Sequence, residues 1–174
     1  MRVKEATPRD RTGMERIFKE VFGRSGARYY GTRWDIEARR CVEQYYTLGA
    51  KTGNEVVGFV SARFFQPHSL FFPFKLKRGK GKVSFIVDWL VVAPGFQNRG
   101  VGSLLMKEML SKLSTLTREY PAFSKAIVLV RASNWWEFRR GRRRVIPVAR
   151  DSPAVKFYRK FGFKYRRGWM RLVL

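Results

Sequence analysis

Residues 91–106 read VVAPGFQNRGVGSLLM. The passage from strand to helix inside them decides the fold. Upstream, VSFIVDWLVV (83–92) is rich in β-branched and aromatic residues, the composition of a buried strand. Downstream, Val101, Leu104, Leu105, Met109, Leu113 and Leu116 recur at helical spacing and share one face. The join therefore lies at a helix N-terminus, where the first backbone N–H groups lack intrahelical acceptors and the helix dipole is positive. An anion fits such a place. Glycines at 100 and 102 would allow close approach. The loop lacks the Gly-Lys-Ser/Thr ending of a Walker A motif, and the third glycine of a dinucleotide fingerprint would fall at Leu105. Spacing alone leaves a phosphate cradle and a plain turn both open.

Outward from this stretch, elements alternate. Residues 2–6 read as a strand. Met14, Ile17, Phe18, Val21 and Phe22 mark a helix, with Thr12 and Glu15 as a candidate capping box. GRSGARYYGT (23–32) reads as a loop and RWDIEARRCVEQ (33–44) as a second helix. YYTLGAK, TGNE and VVGFVSARFF form a hairpin pattern around residues 45–65. KAIVLVRA (125–132) is a further buried strand. SPAVKFYRKFG (152–162) is a helix that Ser152 caps, with Pro153 in its first turn and Gly162 at its end. FKYRRGWMRLVL closes the chain as a strand. This order predicts one α/β domain over residues 1–174, a mixed sheet with helices on both faces.

The chain has 174 residues, with 37 Lys and Arg against 13 Asp and Glu, a formal charge of +24. Such a field attracts polyanions such as nucleic acid, ribosomes or a phosphorylated cofactor. No apolar run reaches about 18 residues, so no membrane span is expected. The opening MRVKEATPRD lacks the apolar segment of a signal peptide. The single cysteine, Cys41, excludes an internal disulfide and reads as a small buried residue. A cytoplasmic protein is expected. His68 is the one histidine and has no cysteine or second histidine beside it, so no metal site is expected.

VVAPGFQNRGVGSLLM resembles the acyl-CoA-binding signature Q/R-x-x-G-x-G/A of the GNAT N-acetyltransferase superfamily. SPAVKFYRKFGF resembles that family's second signature, A-x-x-F-Y-x-x-x-G-F. The two stand in the family's order with a strand between them. The resemblance implies a GNAT-like acyl-CoA N-acyltransferase fold whose central strand pair splays, here about 83–92 and 125–131, after a bulge in the first. It implies acetyl-CoA as co-substrate. Backbone groups of Leu90, Val91 and Val92 would hold the pantetheine arm, and one N–H near Val91 or Val92 the oxyanion. The pyrophosphate would lie on the N–H groups of Gln97, Asn98, Arg99, Gly100, Val101, Gly102 and Ser103, with Arg99 adding charge. Phe157 and Asn134 join the cofactor-binding set. Asp151 takes a place where many relatives carry asparagine. Tyr158 is the implied acid for the leaving thiolate. Asp88 is the candidate base, either in that role or as a structural ion pair with an arginine, relatives with a water chain being the alternative.

Two basic, aromatic insertions depart from the family pattern, at about 66–82 (QPHSLFFPFKLKRGKGK) and 132–150, where six arginines fall between positions 139 and 150. They either shape an acceptor pocket, form a nucleic-acid or ribosome surface, or pack a dimer or the sheet. The reading is an N-acetyltransferase acting on a primary amine: a protein or peptide N-terminus, a ribosomal protein or a small amine. Its alternative is an RNA- or ribosome-binding module on the same fold with weak or no catalysis. A monomer or a homodimer fits either.

Overall fold

Eleven residues, KVSFIVDWLVV, make the strand on which the rest is assembled. The computed structural model describes residues 1–30, 33–64, 82–119, 125–131, 136–139, 142–145, 152–166 and 169–174. In chain order the elements are β1 (Arg2–Glu5), α1 (Arg11–Tyr30), α2 (Trp34–Glu43), β2 (Tyr46–Thr52), β3 (Glu55–Phe64), β4 (Lys82–Val92) and α3 (Val101–Glu119). Then follow β5 (Lys125–Arg131), β6 (Trp136–Arg139), β7 (Arg142–Val145), α4 (Pro153–Arg159), β8 (Lys164–Arg166) and β9 (Trp169–Val173). Seven strands form one sheet in the order β1-β2-β3-β4-β5-β9-β8, and β6 pairs with β7 apart from it. Only the β4–β5 pair of the main sheet is parallel.

Side-chain alternation sorts the core into two layers. On one face Val57, Val60, Ala62, Phe85 and Val87 meet Val101, Leu105, Met106, Met109 and Leu113 of α3 and Val155 of α4. On the other, Val56, Phe59 and Val91 meet Met14, Ile17 and Phe18 of α1 and Trp34, Ala38 and Cys41 of α2. Each fully buried large apolar side chain contributes about 1.5–3 kcal/mol, so this sandwich holds the sheet. Aromatic rings tighten the second layer: Phe18 stacks on Trp34 at 5.0 Å and meets the edge of Trp89 at 5.0 Å.

Local details depart from the sequence expectation. The helix predicted to stop near Phe22 breaks at Gly23 (φ 63°) and resumes to Tyr30. The Trp34 indole N–H donates to the Gly23 carbonyl at 3.0 Å, so a side chain from α2 satisfies a group freed at the break. The expected Thr12–Glu15 box is replaced one turn earlier: the Asp10 carboxylate accepts from the Thr7 N–H at 2.8 Å and the Thr7 hydroxyl at 3.1 Å, while Glu15 pairs with Lys19. The chain end is two antiparallel strands, β8 and β9, rather than one. The 132–150 segment contains the β6–β7 hairpin, which its arginine-rich sequence does not announce. No helix among the described residues is long and apolar enough to cross a membrane.

Asp10 is buried and also takes Lys51 Nζ at 2.5 Å. Burial pushes its carboxyl up, but the bonds from Lys51 and Thr7 outweigh that and hold it below the usual carboxylate value. A depressed folded value stabilises the fold above the unfolded value of about 3.9 and is lost as pH falls through the folded one. Asp10→Asn, which strands Lys51, is expected to cost about 1–3 kcal/mol at neutral pH. In thermal unfolding, the gap from the parent should narrow below about pH 4.

Candidate active site

The extra residue in β4 is Asp88. β3 and β4 run in register from Val92 opposite Gly58 to Trp89 opposite Ser61, then resume at Val87 opposite Ala62. Asp88 is thereby bulged out of the ladder, which re-aims its side chain. On the opposite edge, the β4–β5 pairing runs from Lys82↔Lys125 only as far as Val87↔Val130. Beyond Val87, β4 has no β5 partner among the described residues, which end at Arg131 on that strand. Because the Ala93 N–H meets the Val57 carbonyl, alternation along the β3 ladder turns the backbone groups of Val91 toward β3 and those of Leu90 and Val92 toward the β5 side. The expected bulge is present at Asp88, and the described pairing with β5 ends at the residue before it.

The strand leaves the splay through a single 3₁₀ turn, Pro94–Phe96. The Ala93 N–H donates to the Val57 carbonyl at 2.9 Å, and the Gln97 side-chain amide donates to the Val92 carbonyl at 3.0 Å, tying the loop to the strand. Asn98 (φ 59°) and Gly100 (φ 82°) both take left-handed backbone. A side chain at 100 would cost about 1–2 kcal/mol. Val101 opens α3. The Leu104 N–H bonds the Gly100 carbonyl at 2.9 Å, so those of Val101, Gly102 and Ser103 precede the first intrahelical bond. They form the positive helix end that suits a pyrophosphate.

Gly102 joins this loop to the second signature. A Cβ built there would lie 3.8 Å from the Phe157 ring and 3.8 Å from Val92 Cγ2. The Ser152 hydroxyl accepts from the Val155 N–H at 3.3 Å, capping α4 as expected. One helix turn aims Phe157 at the loop, and Tyr158 stands beside it with rings 5.2 Å apart. The Tyr158 hydroxyl has no hydrogen-bond partner among the described residues, and burial alone raises it above the ordinary phenol value. It stays protonated over the whole working range, as a proton donor must.

Asp88 lies on the α1–α2 face. Its carboxylate accepts from Arg63 Nε at 2.6 Å and Nη2 at 3.3 Å. The Arg63 guanidinium stands 6.0 Å from the centre of the Tyr45 ring. Although 20% of the Asp88 side chain remains accessible, loss of water raises its carboxyl above the usual value. Arg63 opposes that rise, and the charge of Glu37 adds to it. Glu37 is itself held by Arg40 at 2.7 Å. The ion-pair reading of Asp88 is thus present together with the desolvation that a base requires. Arg63, Tyr45 and Glu37 were not singled out from the sequence. The only available signal was that Arg63 falls in the strand beside Asp88.

Cys41 is fully buried and its thiol is pushed up to about 12, which leaves it inert. Asn134, Asp151 and His68 lie outside the described residues, as does the 66–82 insertion except for Lys82, which opens β4. β6 passes beside α1, which puts that strand of the second insertion on the Asp88 side. Among the described residues, no three His, Cys, Asp or Glu side chains gather as a metal site.

Residues 43–165 match a family model described as an acetyltransferase (GNAT) domain. None of the curated proteins matches in sequence. Among solved structures, an aminoglycoside 6'-N-acetyltransferase complexed with coenzyme A is 15% identical, with 99% of this chain and 97% of that one covered and a TM-score of 0.62. NAA60 of Arabidopsis thaliana in complex with acetyl-CoA is 16% identical (99% and 95% covered, TM-score 0.60). A ribosomal-protein-alanine N-acetyltransferase from Brucella melitensis is 19% identical over the full length of both chains, with a TM-score of 0.59. At these identities the likeness is one of fold.

Proposed function

This chain belongs to the GNAT acetyltransferase family, and on that premise we propose that it transfers the acetyl group of acetyl-CoA to a primary amine by direct attack. The observation that carries the proposal is the convergence of Val92, Gly102 and Phe157 beside a strand pair that parts at Val87. It sets the end of the described β4–β5 pairing, a helix N-terminus and the half-buried Tyr158 phenol on one face of the sheet. Two of the similar folds hold acetyl-CoA or coenzyme A, which supports the same ligand here.

When bound, acetyl-CoA supplies an activated acetyl thioester. The chain's residues do the rest. The Gln97 N–H is taken by the Pro94 carbonyl, so the N–H groups of Asn98 to Ser103 hold the pyrophosphate, with Arg99 beside them, and Leu90 and Val92 hold the arm as an added strand would. Of the two candidate N–H groups, that of Val91 is turned to β3, so the N–H of Val92 takes the charge developing on the carbonyl oxygen. The amine nitrogen bonds the acetyl carbon as the C–S bond breaks. Asp88, directly or through water, receives the amine proton, and the Tyr158 hydroxyl gives its proton to sulfur. Asp88 and Tyr158 sit on opposite faces of the sheet, so acceptor and cofactor enter from opposite sides of the splay. The acceptor is a protein or peptide N-terminus, a ribosomal protein or a small amine.

A thiol-release assay with acetyl-CoA across polyamines, aminoglycosides, amino acids and peptide N-termini tests the activity. Thiol release dependent on one acceptor is expected; none with any acceptor would overturn it. With that acceptor, kcat/KM should fall as pH drops through the raised Asp88 value, because only the carboxylate accepts a proton. Asp88→Asn should lower kcat about 100-fold or more and flatten this acid limb. Arg63→Met removes a group that opposes the rise, so the limb should move to higher pH. An unmoved limb in both variants would exclude Asp88 as the base.

A further inference from the structure

A primary amine is mostly protonated at neutral pH, so an acceptor approaches Asp88 as a cation, and a cation is already there. Arg63 binds the Asp88 carboxylate side-on, through Nε at 2.6 Å and Nη2 at 3.3 Å. A guanidinium carries five N–H donors in a fixed plane. The pair uses two of them. Both N–H groups of Nη1 and the second of Nη2 have no partner among the described residues. These are the donors of the end-on edge, which takes a carboxylate bidentately. The Arg63 side chain is 46% accessible against 20% for Asp88, so the guanidinium is the open member of the pair.

The neighbouring groups leave that edge to something else. Glu37, the other buried carboxylate on this side, is taken by Arg40 at 2.7 Å. The Tyr45 ring centre lies 6.0 Å from the Arg63 guanidinium carbon, a contact with a ring face that uses none of the three donors in the plane.

Charge then selects among acceptors. A polyamine, an aminoglycoside or a peptide N-terminus brings an ammonium to Asp88 with no anion attached beside it. Two cations would then crowd one carboxylate. The formal charge of +24 on the chain adds to the repulsion of a polycation. An amino acid brings a carboxylate one carbon away from its amine. Its ammonium meets Asp88, its carboxylate meets the open edge of Arg63, and no charge is left unmatched.

We propose that the acceptor is a free amino acid, whose carboxylate Arg63 holds while Asp88 receives the amine proton; the inference rests on the acetyl-transfer reading and names its acceptor class. Arg63 then has two tasks. Its side-on edge fixes Asp88, and its end-on edge fixes the acceptor relative to Asp88, which places the amine at the base.

Thiol release from acetyl-CoA, measured with the common amino acids each beside its own carboxamide, tests this. The carboxamide keeps the amine and the side chain and loses the acid. In the unmodified protein at least one amino acid is expected to exceed its amide about tenfold or more in kcat/KM. Arg63→Met should raise KM for that amino acid about tenfold or more, keep kcat within about threefold, and leave KM for the amide within about twofold. Both proteins are assayed above their acid limbs, so that the displaced limb does not enter. A structural disturbance would weaken acid and amide alike, so the four measurements form a cycle that isolates the carboxylate contact. Turnover of an amide, a polyamine or a peptide N-terminus as fast as that of any amino acid would overturn the proposal and leave acetyl transfer standing. So would equal losses for acid and amide in Arg63→Met. No thiol release with any amine would overturn both.

Discussion

Tyr158→Phe is expected to lower kcat about 100-fold or more while leaving acetyl-CoA affinity within about twofold. The reason lies in what surrounds the hydroxyl. Tyr158 is half-buried, its hydroxyl has no hydrogen-bond partner among the described residues, and loss of water alone raises it above the phenol value. The phenylalanine variant keeps the ring contacts to Phe157 and Phe163 and breaks no described bond, so it should unfold at the same temperature. A hydroxyl that gains no bond within the fold is available to a partner outside it. The expected signature is a large loss of turnover with no loss of stability. Because the hydroxyl stays protonated, the parent's pH profile should show no basic limb from Tyr158. Unchanged turnover in Tyr158→Phe would remove it from the mechanism.

Gly102→Val is expected to abolish acetyl-CoA binding while leaving the fold in place. Gly102 does not need left-handed backbone, and a Cβ there would make ordinary contacts at 3.8 Å with Phe157 and Val92. The branched side chain would stand among the N–H groups of the first turn of α3, between the loop and the aromatic ring that flanks it. A cradle that works by close backbone approach has no room for it. Gly100 fails differently. Its φ of 82° makes a substitution there a backbone strain, so Gly100 variants mix stability with binding and test the site less cleanly. Calorimetry with coenzyme A, beside a thermal unfolding curve, separates the two effects for Gly102→Val.

The side of the site proposed to hold the cofactor was legible because its signals are local. Gly100, Gly102, Phe157 and Tyr158 sit within two short motifs, and Ser152 and the apolar spacing of α3 fix the helices that carry them. The bulge followed from the family resemblance rather than from any periodicity in VSFIVDWLVV, which is apolar almost throughout. The Asp88 side, proposed for the acceptor, was not legible. Arg63 meets Asp88 because β3 and β4 pair in one register out of several, and nothing in a chain with 37 Lys and Arg selects that arginine. Tyr45 and Glu37 join them from the end and the middle of α2's neighbourhood, brought in by packing. The continuation of α1 beyond Gly23 was hidden because GRSGARYY has loop composition, and the contact that closes the break comes from Trp34 in another helix. The β6–β7 hairpin was hidden because WEFR and RRRV lack the apolar alternation by which strands are read.

The central claim is that QNRGVGS is the pyrophosphate loop of an acyl-CoA site. Titrating acetyl-CoA into the unmodified protein by calorimetry tests it most directly. The account predicts saturable binding of one molecule per chain, a rise in unfolding temperature with ligand concentration, and loss of both in Gly102→Val. A flat titration in the unmodified protein, or undiminished affinity in Gly102→Val, would contradict it.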